Sequence, residues 1–211
     1  MSGAAATLRE LGRHSAALLF AVGVGPAAAQ GERPPALPTR DVAVTYRVVG
    51  APSWVEMRVS WLASERRRRI DWPGGARATV VDHGRPGGGF MVFDAARLVR
   101  PLPADLEPGL GTLGDAWGSV RFVRAGAASY AGQPCGVWRH HDEYATVEAC
   151  VTEDGVMLRE VIATQAGQTG GLEALEIVYG PQDPARFRWP DGYRVARPSA
   201  AAPPATVPSG R

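Results

Sequence analysis

The sequence predicts a mainly β fold: one curved antiparallel meander sheet of about ten strands, a half-barrel with a short helical or loop lid. Apolar and polar residues alternate along many short segments, which is typical of strands with one buried face. Turn residues separate these segments at regular intervals. Little of the chain has helical periodicity, so the sheet itself must curl around its apolar face.

The first 29 of the 211 residues have the layout of a secretory signal peptide. Arg9 and Arg13 precede the apolar stretch Ser15–Val24, and small residues lead to a cleavage site near Ala29. The apolar stretch has about half of the ~20 residues that a membrane span needs. We therefore expect an exported, periplasmic protein that does not span the membrane.

The rest of the chain divides by composition. We expect a flexible leader at 30–40, a curved β domain at 41–196 and a disordered Pro/Ala tail at 197–211. Hydrophobic residues make up 45% of the chain, which permits a packed core. The net charge of +2 is too small to indicate a nucleic-acid partner. The absence of lysine excludes a Schiff-base or phosphate-loop lysine.

Alternation and turn residues predict the strands in order. They lie at 41–49, 54–62, 66–72, 77–82, 90–93, 98–102, 120–124, 135–140, 145–152, 156–163 and 172–179. Only 104–119 interrupts the meander, with apolar residues at roughly helical spacing among glycines and a proline that weaken a helix. We expect this segment to cover the sheet as a lid through Leu106, Leu110, Leu113 and Trp117.

The two cysteines, Cys135 and Cys150, predict one structural disulfide. An exported protein meets an oxidising compartment, where disulfides persist. The chain has no C-x-x-C motif, which argues against a redox or metal-binding pair. A hairpin with its loop at 141–144 would place Cys135 directly opposite Cys150 and Trp138 opposite Val147.

Several motifs resemble those of an uncharacterised family of exported bacterial proteins. They include WVEMRV from Trp54, AGQPCGVW from Ala131, CVTEDGVMLR from Cys150 and FRWPDGY from Phe187. That family's fold is similar to the periplasmic lipoprotein carriers of the LolA/LolB type. The resemblance spans 41–194 and implies a curved half-barrel with a helical lid that holds acyl chains in an apolar cavity. Fold alone does not imply function.

Inward apolar residues would line such a cavity. If the core is closed, the same residues would instead pack against one another and fill it. They are Tyr46, Met57, Val59, Trp61, Ile70, Phe90, Val92, Trp138, Leu158, Ile177 and Tyr179. In the four-arginine run, Arg66 and Arg68 are candidates for contact with an anionic head group, with Arg67 and Arg69 in solvent. The alternative is that this run forms an edge strand whose charged side chains prevent pairing with another chain.

No residue pattern predicts catalysis, a metal or a cofactor. His140 and His141 are adjacent on a strand and point to opposite faces, so one metal site cannot easily use both. Asp82, His83 and His140 lack an accompanying nucleophile motif such as G-x-S-x-G or S-x-x-K. We therefore expect no catalytic residues and no metal.

Together these observations predict a periplasmic, non-enzymatic binding protein that holds a lipid, acyl chain or other apolar ligand in a half-barrel cavity. The alternative is a structural or partner-binding envelope protein with a filled core. It would use an exposed sheet edge or the proline-rich tail for protein contacts. A cavity smaller than about 300 Å³ would favour this alternative.

Overall fold

A computed structural model describes residues 33–50, 55–85, 87–103, 121–167 and 169–196. These residues form twelve strands and two short 3₁₀ turns, Ala63–Glu65 and Pro184–Phe187. The strands are β1 Val42–Val49, β2 Glu56–Leu62, β3 Arg67–Asp71, β4 Arg77–Asp82, β5 Phe90–Phe93, β6 Leu98–Pro101, β7 Val123–Tyr130, β8 Gln133–His141, β9 Ala145–Val151, β10 Met157–Thr164, β11 Thr169–Tyr179 and β12 Arg194–Val195.

All twelve strands belong to one sheet, in the order β12-β6-β5-β4-β3-β2-β1-β11-β10-β9-β8-β7. Two meanders, β1 to β6 and β7 to β11, join where β1 pairs with β11. Neighbouring strands are antiparallel except for β12, which runs parallel to β6. The predicted mainly β meander is therefore confirmed. The predicted lid, Leu106, Leu110, Leu113 and Trp117, lies outside the described residues.

The sheet is strongly curved and does not close into a barrel. β7 contacts β11 although three strands lie between them in the sheet. On a flat sheet, four inter-strand spacings of about 4.8 Å would separate these strands by about 19 Å. Curvature brings them together, and it encloses a concave face whose apolar side chains form the main core cluster.

A second, smaller core lies on the convex face of β4, β5 and β6. The segment after β11 covers it: Tyr193 packs against this core, and Trp189 contacts the Phe90 ring at 5.9 Å. Two arginines expected in solvent instead hold this segment. Arg67 Nη1 donates to the Phe187 carbonyl at 3.3 Å, and Arg69 Nη1 to the Arg186 carbonyl at 2.7 Å.

The disulfide is present, but the hairpin register differs from the predicted one. Cys135 and Cys150 are joined with their Cα atoms 5.4 Å apart, yet Cys150 lies opposite Val137 in the β8–β9 pair. Asp142 Oδ1 accepts hydrogen bonds from the backbone N–H groups of Tyr144 and Ala145, both at 2.8 Å, which starts the loop one residue later. Pairing therefore shifts by two residues, which keeps every side chain on its predicted face.

Removing the disulfide should destabilise the fold. A bond closing a loop of this length contributes about 3 kcal/mol by restricting the unfolded chain. We expect a Cys135→Ala/Cys150→Ala variant to lose about that much unfolding free energy in urea titrations. Reduced wild type is the matched control and should lose a similar amount. A loss below about 1 kcal/mol in both would contradict the expectation.

Candidate functional site

The concave face of β1 and β2 carries an apolar surface with a small cavity in it. Opposed side chains there are buried in the pairs Tyr46–Met57, Val44–Val59 and Val42–Trp61. Leu37 of the leader and Met157 of β10 close the cavity, whose volume is about 40 Å³. A water needs roughly 10–15 Å³ on this measure, so the space admits a small polar group but no acyl chain.

Most of the predicted ligand contacts lie together in the main core cluster. Seven are buried members, namely Tyr46, Met57, Val59, Trp61, Ile70, Trp138 and Leu158. Ile177 and Tyr179 are partly buried and pack against them. The structure establishes that these nine residues lie together in one cluster. Their contact with a ligand stays a prediction.

The structure separates Phe90 and Val92 from that cluster and places them in the convex core. Ile70 on the concave face pairs with Thr79, which pairs with Met91. Successive residues point to opposite faces, so the neighbours of Met91 point to the convex side. The sequence predicted Phe90 and Val92 as inward residues. The segment after β11 reverses this by burying the convex face.

The two arginines proposed for an anionic head group are also separated. Arg68 is 5% exposed, lies directly opposite Trp61 and lines the cavity. Arg66 is exposed and ends the first 3₁₀ turn in a left-handed conformation, with φ at 52°. The strand begins only at Arg67, so the predicted alternation does not extend back to Arg66.

One residue of the cavity lining, Trp61, carries a buried hydrogen-bond donor. Trp61 Nε1 has no acceptor among the described residues, although the residue is only 4% exposed. An unsatisfied buried donor of this kind costs about 1–3 kcal/mol. Because Arg68 is the cross-strand neighbour of Trp61, two donor side chains lie side by side. Trp61 was predicted as an apolar contact, and this polar role was missed.

Glu160 is a second charged residue on the concave side that sequence reasoning missed. It pairs with Leu172, which pairs with Val48 of β1, so register places it on the same face as Tyr46. Burial raises the pKa of Glu160 to about 7, and the positive charge of Arg68 opposes part of that rise. Glu160 lies two residues before the apolar Ile162 and so shares its face of the strand. This spacing was the available sequence signal that the Glu160 side chain points inward.

Tyr46 shares this environment. Its hydroxyl donates to the Met157 carbonyl at 2.6 Å, and burial raises the pKa of the phenol. The hydrogen bond ties β1 to β10 across β11. The Tyr46 hydroxyl is therefore held in place by the backbone of β10.

The leader packs against this end of the sheet over the part that is described. Leu37 packs against the main cluster, and Pro34 is buried. Thr39 N–H donates to the Asp154 carbonyl at 2.9 Å. Composition indicated flexibility here because the contacts that hold the leader are remote in sequence.

His140 and His141 lie at the C-terminal end of β8, beside an open surface cleft. His140 Nε2 contacts the Asp142 carboxylate at 3.2 Å, and His141 Nδ1 contacts the Thr146 hydroxyl at 2.7 Å. Across 33–50, 55–85, 87–103, 121–167 and 169–196, no three His, Cys, Asp or Glu residues cluster as metal ligands. Within the same ranges, no helix has the length and apolarity to cross a membrane.

No protein-family model matches the chain, and no curated protein is similar to it in sequence. Solved structures share the fold. An uncharacterized conserved protein from Thermus thermophilus aligns with a TM-score of 0.56 and 15% identity, over 76% of this chain and 91% of that one.

A chain of the Pseudomonas aeruginosa MucA/MucB complex aligns with a TM-score of 0.50 and 16% identity. The alignment covers 78% of this chain and 62% of that one, so the present chain spans about three fifths of the neighbour. At these identities both likenesses show the fold alone.

The pKa of Glu160 predicts a specific pH dependence of stability. Because the folded-state pKa rises from 4.5 to about 7, Glu160 favours the fold most below pH 4.5. That contribution is lost as the pH rises to about 7 and amounts to about 3 kcal/mol. Urea titrations across this range should show the loss in wild type, and Glu160→Gln should lack it. The exposed Glu176→Gln is the control, and a wild-type slope in Glu160→Gln would contradict the assignment.

Proposed function

We propose that this chain is a non-enzymatic, periplasmic binding protein of the bacterial envelope whose partner is a protein segment added to edge strand β7. The export signal predicted by the sequence and the Cys135–Cys150 bond both suit an oxidising compartment. The fold is similar to a chain from a complex in which MucA and MucB bind each other. These observations support a partner-binding role.

The open edge of the sheet carries this proposal. β7 is the last strand in the sheet order, and seven of its eight residues pair with β8, on one side only within the described chain. Ala125, Ala127 and Ser129 are exposed and small, so the backbone amide and carbonyl groups are accessible. An unpaired edge is a template for an added strand, which gains main-chain hydrogen bonds. A bulge at Arg124/Gly126 blunts only the beginning of the strand.

The size of the concave cavity also favours a protein partner. The cavity of about 40 Å³ is far below the roughly 300 Å³ at which small-molecule pockets begin. Leu37 and the β1–β2 side chains fill the concave face at the described positions. A filled core directs recognition to the surface, where the edge is available.

Charging the edge should abolish partner binding without unfolding the protein. Lysines on an edge strand prevent strand addition because the approaching chain would desolvate them. We expect an Ala127→Lys/Ser129→Lys variant to lose capture of the partner from a periplasmic extract. Its unfolding free energy should stay within about 0.5 kcal/mol of wild type. Glu176→Lys, on an interior strand, is the matched control. An edge variant that captures the same proteins as wild type would refute the proposal.

The buried donors favour a second candidate function on the concave face. Trp61 Nε1 lacks an acceptor among the described residues, and Arg68 is its cross-strand neighbour and lines the same cavity. A carbonyl or carboxylate head in the cavity would satisfy the indole. Its acyl chain would follow the path that Leu37 now takes. Each buried methylene contributes about 0.8 kcal/mol, so about ten suffice for micromolar affinity.

This candidate can be tested by displacement of a fluorescent fatty acid. A Leu37→Ala variant, which opens the cavity, should bind the probe more tightly than wild type. Adding Trp61→Phe to it keeps an aromatic side chain and removes the N–H donor, so affinity should fall about five- to tenfold. Trp189→Phe, an exposed ring on the convex side, is the control and should have no effect. Absence of binding to both wild type and Leu37→Ala, confirmed by native mass spectrometry, would remove this candidate.

A further inference from the structure

The leader segment Leu37–Arg40 occupies a groove that has three distinct contact points. At the first, the Leu37 side chain enters the apolar cavity lined by Val44, Trp61 and Met157. This point favours an aliphatic side chain, because most of the surrounding lining is apolar.

The second contact point is the tight turn between β9 and β10. Thr39 N–H donates to the Asp154 carbonyl at 2.9 Å, which is a main-chain bond independent of side-chain identity. Gly155 has φ at +89°, and a Cβ at that position would overlap the Leu37 carbonyl oxygen. The turn therefore lets an extended backbone approach closely, which only glycine permits here.

The third contact point recognises a cation. Arg40 Nε donates to Asp154 Oδ2 at 2.7 Å, and its guanidinium lies 3.7 Å from the centre of the Tyr179 ring. Asp154 is oriented by two further donors, the hydroxyls of Thr152 at 2.5 Å and Tyr179 at 3.4 Å. A carboxylate beside an aromatic ring whose face is free for stacking fits a planar guanidinium.

The leader fills this groove incompletely. About 40 Å³ stays open beside Leu37, and the buried Trp61 N–H has no acceptor among the described residues. The Arg40 side chain is 60% exposed, and the leader forms no strand of the sheet. Exposed ion pairs of this kind hold weakly, because water and salt screen them. The leader is thus attached at a few points and leaves part of the groove unsatisfied.

From these contacts we propose that the groove is a linear-peptide site and that the chain's own leader is its resident occupant. An extended partner segment with leucine and, three residues later, arginine displaces that leader. This surface differs from the β7 edge, and the inference does not depend on strand addition there. The resident leader competes as an intramolecular ligand at high effective concentration, so the site is closed until the leader is loosened or outcompeted.

The test uses the full chain and a labelled peptide of residues 33–41. A Leu37→Ser/Arg40→Ser variant loosens the resident leader while leaving the groove unchanged. Fluorescence anisotropy should show the peptide binding this variant at least tenfold more tightly than wild type. A peptide with serine at both positions should not bind. Equal weak binding of the two peptides to the loosened chain would overturn the proposal.

Substitutions in the groove give a matched pair. In the loosened chain, Asp154→Asn should weaken peptide binding severalfold because the guanidinium loses its carboxylate. Glu153→Gln changes the adjacent, exposed carboxylate and should have no effect. Equal effects of the two would also overturn the proposal.

If the loosened chain fails to fold, a variant with a single substitution still tests the proposal. Arg40→Ser alone keeps Leu37 in the core and removes only the exposed contacts of the Arg40 guanidinium. With circular dichroism confirming the fold, this single variant should bind the peptide more tightly than wild type. Binding indistinguishable from wild type in a folded Arg40→Ser chain would overturn the proposal.

Discussion

Burial of a single apolar face by curvature is the constraint on which this structure depends. In the described chain, other strands of the same curved sheet and Leu37 cover the concave side chains of β1, β2 and β3. Burial of apolar area stabilises the bend by about 25 cal/mol per Å². The Tyr46 hydrogen bond to Met157 then fixes how far β1 and β10 approach. Without the bend, Arg68 on β3 and Glu160 on β10 would lie too far apart to influence each other.

The convex face is covered by a separate chain segment and not by curvature of the sheet. The segment after β11 brings Phe187, which is fully buried, and the aromatic rings of Trp189 and Tyr193 over the outer side of the sheet. Arginines of β3 hold the backbone of this segment, and Arg186 reaches back to the Asp71 carboxylate at 2.7 Å. Surfaces that stay available for recognition in the described part of the chain include the β7 edge and the leader groove. Both expose backbone groups that can pair with an extended chain.

Several elements were predictable because their signals are local. Strands such as β1 and β2 alternate cleanly, and the hairpin between the cysteines is bounded by polar turn residues. β7 was placed too early and too short, at 120–124, because the small residues Ala125 to Ser129 show no apolar alternation. The same small residues make the edge accessible. Weak apolar alternation therefore coincides here with an edge strand whose residues are mostly exposed.

The sequence alone determined the curved meander, the identity of the disulfide and most of the residues that share the concave face. These follow from alternation with a period of two, which is a property of neighbouring residues. Only the tertiary structure decided that Phe90 faces the covered side, that Arg68 enters the cavity without Arg66, and that Leu37 packs against the core. These outcomes depend on contacts between segments far apart in the chain. Local periodicity states which residues share a face, whereas distant segments decide what covers each face.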